Sequence, residues 1–187
     1  MQYTLHRKEY KFDVPFDIFS TYQVDVGSDL LLDTMFRRDP IKIKVNKAFD
    51  LGCGYGALGI VIAQKIPSAH LTMVDKDLLA IRYAKRNADL NSVSDRVDIF
   101  GSVGIDSIEE KDYQLGVSNI PAKIGDSAIE QEFILKPISL LSKGGEYWFV
   151  VVNALNRIIP RIGNSNQIDL KQISKRVGHS VYRYIKK

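Results

Sequence analysis

The chain has 187 residues, of which 45% are hydrophobic and 26% charged, with a formal net charge of +4. That length suits one domain with a substantial core, and the composition excludes fibrous and disordered classes. One cysteine, Cys53, excludes an internal disulfide and agrees with a reducing cytoplasmic setting. The charged stretch Met1 to Lys11 excludes a signal peptide, and no apolar run reaches membrane-spanning length. His6, His70 and His179 are scattered without metal-ligand spacing, so no metal is expected.

In chain order, apolar and polar residues alternate over 10–16 and predict a half-buried strand. This marks 1–18 as a short β extension ahead of a core at 19–187, all within a single domain. Ser28 is placed to cap a helix beginning at Asp29, with Leu30, Leu31, Leu32 and Met35 on its apolar side and Pro40 beyond its end. Strand and helix then alternate. Residues 47–50 read as a strand, 58–65 as a helix, 71–75 as a strand, and 78–90 as a helix capped by Asp77. Strands follow at 97–100 and 113–119. Ser127 and Glu130 have capping-box spacing and open a helix that Pro137 should bend or end. The apolar run 146–152 is the strongest strand signal. A helix at 155–162 should be interrupted at Pro160, and strands at 167–177 and 180–185 flank Gly178.

Such alternation predicts an α/β fold with a mostly parallel, doubly wound, Rossmann-like sheet covered by helices on both faces. Ligands in these sheets lie beyond the carboxyl ends of the strands. That rule gathers the 52–56 loop, Asp75, Ser102 and Asn119 on one rim.

Asp50-Leu51-Gly52-Cys53-Gly54-Tyr55-Gly56 joins the 47–50 strand to the following helix. Alternating glycines permit positive φ and let a ligand approach the backbone, whose N–H groups should face it. Gly54 to Gly59 also satisfies the dinucleotide pattern G-x-G-x-x-G. The acid in front decides between ligands: Asp50 would repel a pyrophosphate and attract a cationic amino-acid head. The loop resembles motif I of the class I S-adenosyl-L-methionine (SAM) methyltransferases, which implies SAM as cofactor and Asp50, Gly52, Gly54 and Gly56 as binding residues. Asp75, nineteen positions beyond Gly56, can accept bonds from both ribose hydroxyls. Ser102 could accept a bond from the adenine amino group.

Ser118-Asn119-Ile120-Pro121-Ala122-Lys123 is similar to the N-P-P-aromatic motif of methyltransferases that act on planar exocyclic nitrogens. In such an amine the lone pair is delocalised into the ring. Asn119 and a backbone carbonyl at Ile120 or Pro121 can accept its two hydrogens and draw the nitrogen towards tetrahedral geometry. Over most of its length the chain resembles the small-domain family that includes ribosomal RNA guanine-N2 methyltransferases of the small subunit. The matching segments are 19–32, 50–56, Asp75, Asn119 with Pro121 and Gly125, Lys143 to Glu146, and Val181-Tyr182-Arg183. The resemblance implies RNA methylation, and it places Asp25 to Ser28 near the methionine end of SAM. Ile120 replaces the first proline of the motif. Ala122 replaces the aromatic that would stack on the target base, a contact worth ~1–3 kcal/mol. Tyr22 and Tyr55 are candidate substitutes, and Lys123 could meet a phosphate. A different planar nitrogen (adenine, a protein glutamine or a small metabolite) and a SAM-binding module without catalysis are the competing readings.

Overall fold

The computed structural model describes residues 1–14 and 24–187. Strands β1 (Gln2–Leu5) and β2 (Lys8–Lys11) form an antiparallel hairpin. The main sheet contains β3 (Lys47–Leu51), β4 (His70–Asp75), β5 (Val97–Gly101), β6 (Tyr113–Asn119), β7 (Leu141–Val152), β8 (Lys171–Arg176) and β9 (His179–Ile185). Its order is β5-β4-β3-β6-β7-β9-β8. The first five strands in that order run parallel, and β9 runs antiparallel to both β7 and β8. The chain lays down β3, β4 and β5 in one direction and then returns to place β6 on the other side of β3. The crevice of such a sheet opens at that reversal, between β3 and β6.

Helices α1 (Val26–Asp33), α2 (Ala57–Lys65), α3 (Leu78–Leu90), α4 (Asp126–Glu130), α5 (Lys136–Ser139) and α6 (Ile158–Asn166) cover the sheet. Period-2 alternation sends neighbouring strand residues into different cores. Ala48 and Val150 join the core with Leu31, Ile60 and Ala84 of α1, α2 and α3. Phe49 and Phe149 join the one with Ile129, Ile134 and Ile162. Gly116 of β6 makes room for Phe49, whose ring a Cβ added there would strike. No helix among the described residues is long and apolar enough to cross a membrane.

Several boundaries differ from the sequence expectation. The amino-terminal strands are 2–5 and 8–11 rather than 10–16, and residues 15 and 16 lie outside the described ones. The cap of α1 is Asp25, not Ser28: its carboxylate accepts from the N–H groups of Gly27 and Ser28. No capping box forms at Ser127. Gly125, at φ 88°, precedes α4, and the Glu130 carboxylate accepts from Asn166 instead. Pro137 does not end the helical path. A wider turn at Gln131–Leu135 leads into α5, and the Phe133 carbonyl, four residues before the proline, accepts from the Tyr147 hydroxyl at 2.8 Å. Pro160 falls in the first turn of α6, where a missing N–H costs nothing. The strand expected over 167–177 begins only at Lys171.

Candidate active site

Asp50 of β3 pairs with Val117 of β6, so Gly52 and Asn119 leave the sheet side by side, each two residues further on. The loop takes left-handed turns at Gly52 (φ 71°), Gly54 (φ 55°) and Gly56 (φ 96°). Its N–H groups are more self-contained than the sequence suggests. Gly52 and Cys53 both donate to the Val74 carbonyl, Gly56 donates to the Cys53 carbonyl, and Gly54 donates to Asp75 Oδ2 at 2.8 Å. The loop is therefore held in shape by its own hydrogen bonds. A Cβ at Gly54 would meet nothing within 4 Å, which marks its open side.

Asp50 lies under this loop and is fully buried. Its Oδ2 accepts from the Gly59 N–H at 2.8 Å, while Oδ1 has no partner among the described residues. Burial pushes the carboxyl up to about 7; the Gly59 bond opposes this and the Asp75 charge adds to it. Burial also pushes the Cys53 thiol up, and its size suits the packed loop.

Asp75 sits at the end of β4, half-buried, with Oδ1 accepting from the Asp77 N–H and Oδ2 from Gly54. Each oxygen keeps a lone pair for a further donor. Ser102 follows β5, whose Gly101 pairs with Asp75. Its N–H donates to the Asp75 carbonyl, and its hydroxyl accepts from the Ser107 N–H at 3.1 Å. That hydroxyl closes its own loop, a use the sequence did not foretell.

On the other side of the crevice, Asn119 Nδ2 donates to Asp25 Oδ2 at 2.7 Å and to Ser28 Oγ at 3.0 Å. Both amide hydrogens are spent, so the orientation of the amide is set and its Oδ1 is the group left to accept. Asp25 thus caps α1 and aims Asn119 with the same carboxylate. Ile120 is 2% exposed and its N–H donates to the Val150 carbonyl at 3.0 Å, a bond a proline at this position lacks. Pro121, Ala122 and Lys123 are exposed in the turn that follows. Tyr55 is not free to stack on a ligand: it is buried edge-on to Phe12, with ring centroids 5.6 Å apart. Tyr22 lies outside the described residues.

One functional neighbour escaped the sequence reading. Asn87 of α3 is fully buried and donates to the carbonyls of both Asp13 and Tyr55, while its oxygen accepts from the Asp13 N–H. Asn91, one turn on, exchanges the same pair of bonds with Lys11. Together they act as a strand edge for residues 11–13 and tie them to the glycine loop. The available signal was two asparagines at i, i+4 beside Ala84 and Ala88 on the apolar face of α3.

These residues fit SAM. An unpartnered buried carboxylate oxygen lies beneath the loop for a cationic head, the open flank of Gly54 admits an atom, and Asp75 retains acceptor capacity for hydroxyls. A family model described as "Methyltransferase small domain" matches residues 9–181. Two bacterial proteins named ribosomal RNA small subunit methyltransferase C are similar to it. The one from Pasteurella multocida is 36% identical over 143 residues and that from Haemophilus influenzae 34% over 140. Each alignment covers 73% of this chain and 40% of the relative, so the chain spans well under half the length of these relatives. Among solved structures, a ribosomal protein L11 methylase from Lactobacillus delbrueckii shares the fold. Its TM-score is 0.68 at 21% identity, covering 86% of this chain and 79% of that one. The chain belongs to the methyltransferase small domain family, with S-adenosyl-L-methionine as its cofactor.

Proposed function

We propose that the chain transfers a methyl group from SAM to the exocyclic amine of a guanine in ribosomal RNA, with residues 1–187 acting as one unit. The observation that carries this reading is the Asn119 amide, oriented by Asp25 and Ser28 so that an acceptor oxygen is left over. When bound, SAM supplies a methyl group made electrophilic by a sulfonium. Asn119 Oδ1 and a backbone carbonyl at Ile120 or Pro121 accept the two amine hydrogens. The nitrogen lone pair is thereby withdrawn from the ring and turned towards the crevice; positioning and preorganised dipoles supply the catalysis. Water takes the proton the nitrogen finally loses. In this reading Asp75 holds the ribose, Ser102 neighbours the adenine, and the charge of Asp50 faces the cationic head through the 52–56 loop. Ala122 and Lys123 lie on the substrate side, and Tyr22 is kept as the candidate ring for the base.

The 36% and 34% identical relatives named for small subunit RNA support the RNA assignment. Exposed Ala122 and the buried Tyr55 ring favour a second reading, in which the planar nitrogen belongs to adenine, a protein glutamine or a small metabolite. One experiment tests both. Tritiated SAM is incubated with small-subunit RNA, and the labelled product is digested to nucleosides. N2-methylguanosine is expected from the wild type. Asn119→Ala should lower turnover by about 100-fold or more while leaving S-adenosylhomocysteine affinity within about threefold. Normal transfer by that variant rejects the mechanism, and label in another nucleoside rejects guanine.

A further inference from the structure

We propose that the hairpin joining β8 to β9 grips the RNA strand outside the reaction centre. Lys175 and Arg176 bind backbone phosphates, and Val177 packs on a base or ribose beside them. The inference rests on the RNA reading above and adds to it a second point of attachment.

Charge is the first observation. The whole chain has 26 Lys and Arg against 22 Asp and Glu. Six of those basic residues and none of the acids fall between Lys171 and Lys187, which leaves the remainder with 20 against 22. The positive balance of the protein is therefore carried by its last 17 residues. Some of it is spent internally. Arg183 pairs with Asp39 at 3.0 Å and lies over the Trp148 ring, and Lys186 donates to the carbonyls of Ser139 and Leu141. Lys175 and Arg176 are exposed, and neither meets a carboxylate among the described residues.

Position is the second. Asn119 pairs with Val150, Val152 with His179, and His179 with Arg176. The hairpin tip thus lies on the same rim as Asn119, three strand spacings across and two residues along, roughly 16 Å away by sheet geometry. That is a reach of a few nucleotides from a base turned out of its stack. The two also adjoin in space. A Cβ at Gly27 would lie 3.0 Å from the His179 ring and 2.9 Å from Asp25 Oδ2, so the hairpin abuts the turn that holds Asn119.

Turn chemistry is the third. Val177 (φ 50°) and Gly178 (φ 78°) form a two-residue loop with both central residues left-handed. Such loops favour Asn-Gly, and a β-branched residue there is an outlier. The turn's backbone is held by a bond from the Asn153 N–H to the Gly178 carbonyl, but the Val177 side chain is 74% exposed and gains little packing in return for its strained conformation. Guarding an open sheet edge accounts for lysines along β8. It does not account for a strained, exposed valine next to an arginine at the apex. Strained residues cluster at ligand clamps, and one presented to solvent at the rim of a site points to binding there.

The test uses a fluorescein-labelled single-stranded RNA titrated across a series of salt concentrations, with S-adenosylhomocysteine affinity and melting temperature measured in parallel. Combined Lys175→Ala and Arg176→Ala should weaken RNA binding roughly tenfold at low salt. It should also flatten the log–log salt slope by about 0.7 for each phosphate that is no longer neutralised. Val177→Asn should raise the melting temperature yet weaken RNA binding several-fold, an opposition that a purely structural residue would not produce. Both variants should bind S-adenosylhomocysteine as the wild type does. Salt-dependent RNA binding that neither variant alters overturns the hairpin assignment and leaves the RNA reading standing. A wild-type protein with no salt-dependent RNA binding overturns both.

Discussion

The two sides of the crevice are built by different means. On the β3-β4-β5 side the site is mainly backbone. Three glycines shape a loop that closes on its own carbonyls and on Asp75, with Asp50 sealed beneath it. On the β6 side it is side chain meeting side chain: Asn119 is aimed by Asp25 and Ser28, more than ninety positions earlier in the chain. A backbone site recognises one invariant ligand, because its shape cannot change without refolding the loop. A side-chain site can be retuned one residue at a time. The first arrangement suits a common cofactor and the second a varying substrate.

Asp25→Ala should expose this contrast most strongly. Losing the cap should destabilise the protein by about 1 kcal/mol. Releasing Asn119 should lower turnover by up to about 100-fold, as small misplacements do, with S-adenosylhomocysteine affinity falling far less even though Asp25 stands near the methionine end of the cofactor. An equal fall in both quantities would erase the distinction between the two sides.

Asp50→Asn probes the other side through pH. The folded-state pKa of Asp50, about 7, lies above the ordinary carboxylate value, so the folded protein holds the extra proton. Its contribution to stability is fully present below about pH 4 and is lost as pH rises through about 7. Asparagine keeps the Gly59 bond and removes the charge, so that part of the pH–stability curve should flatten. A cationic ligand favours the ionised carboxylate; SAM affinity should therefore rise with pH towards about 7 in the wild type. In the variant it should be flat and about tenfold weaker at pH 8. Calorimetry across pH checks both, and an unchanged pH dependence would remove Asp50 from cofactor recognition.

Ser102→Ala should do least. Its hydroxyl closes a local loop with Ser107, so the change should destabilise by about 1 kcal/mol and alter SAM affinity less than threefold. A larger loss of affinity would return Ser102 to a direct bond with the adenine.

How legible each side was in the sequence follows from the same contrast. The loop, Asp75 and Asn119 stand at strand ends that hydrophobic runs and glycine spacing mark plainly, and local spacing carried them to one rim. Ser28 looked like the cap of α1, but Asp25 takes that role and Asn119 donates to both side chains, a contact from more than ninety positions away that no local pattern signals. Tyr55 looked like a free ring because Phe12, its packing partner, is 43 positions away. Asn87 looked like an ordinary helix residue because its partners, Asp13 and Tyr55, come from two other segments. Contacts across long sequence separations leave no local pattern.

The N–H of Ile120 bears on any attempt to transplant specificity from a relative. In this chain the turn after β6 is held by one additional rung to Val150, where the N-P-P-aromatic pattern relies on a rigid ring. Importing the proline would delete the rung, leave the Val150 carbonyl without its donor, and vacate the pocket that the isoleucine fills. The motif and the strand beside it form one exchangeable module, and a chimera has to carry both.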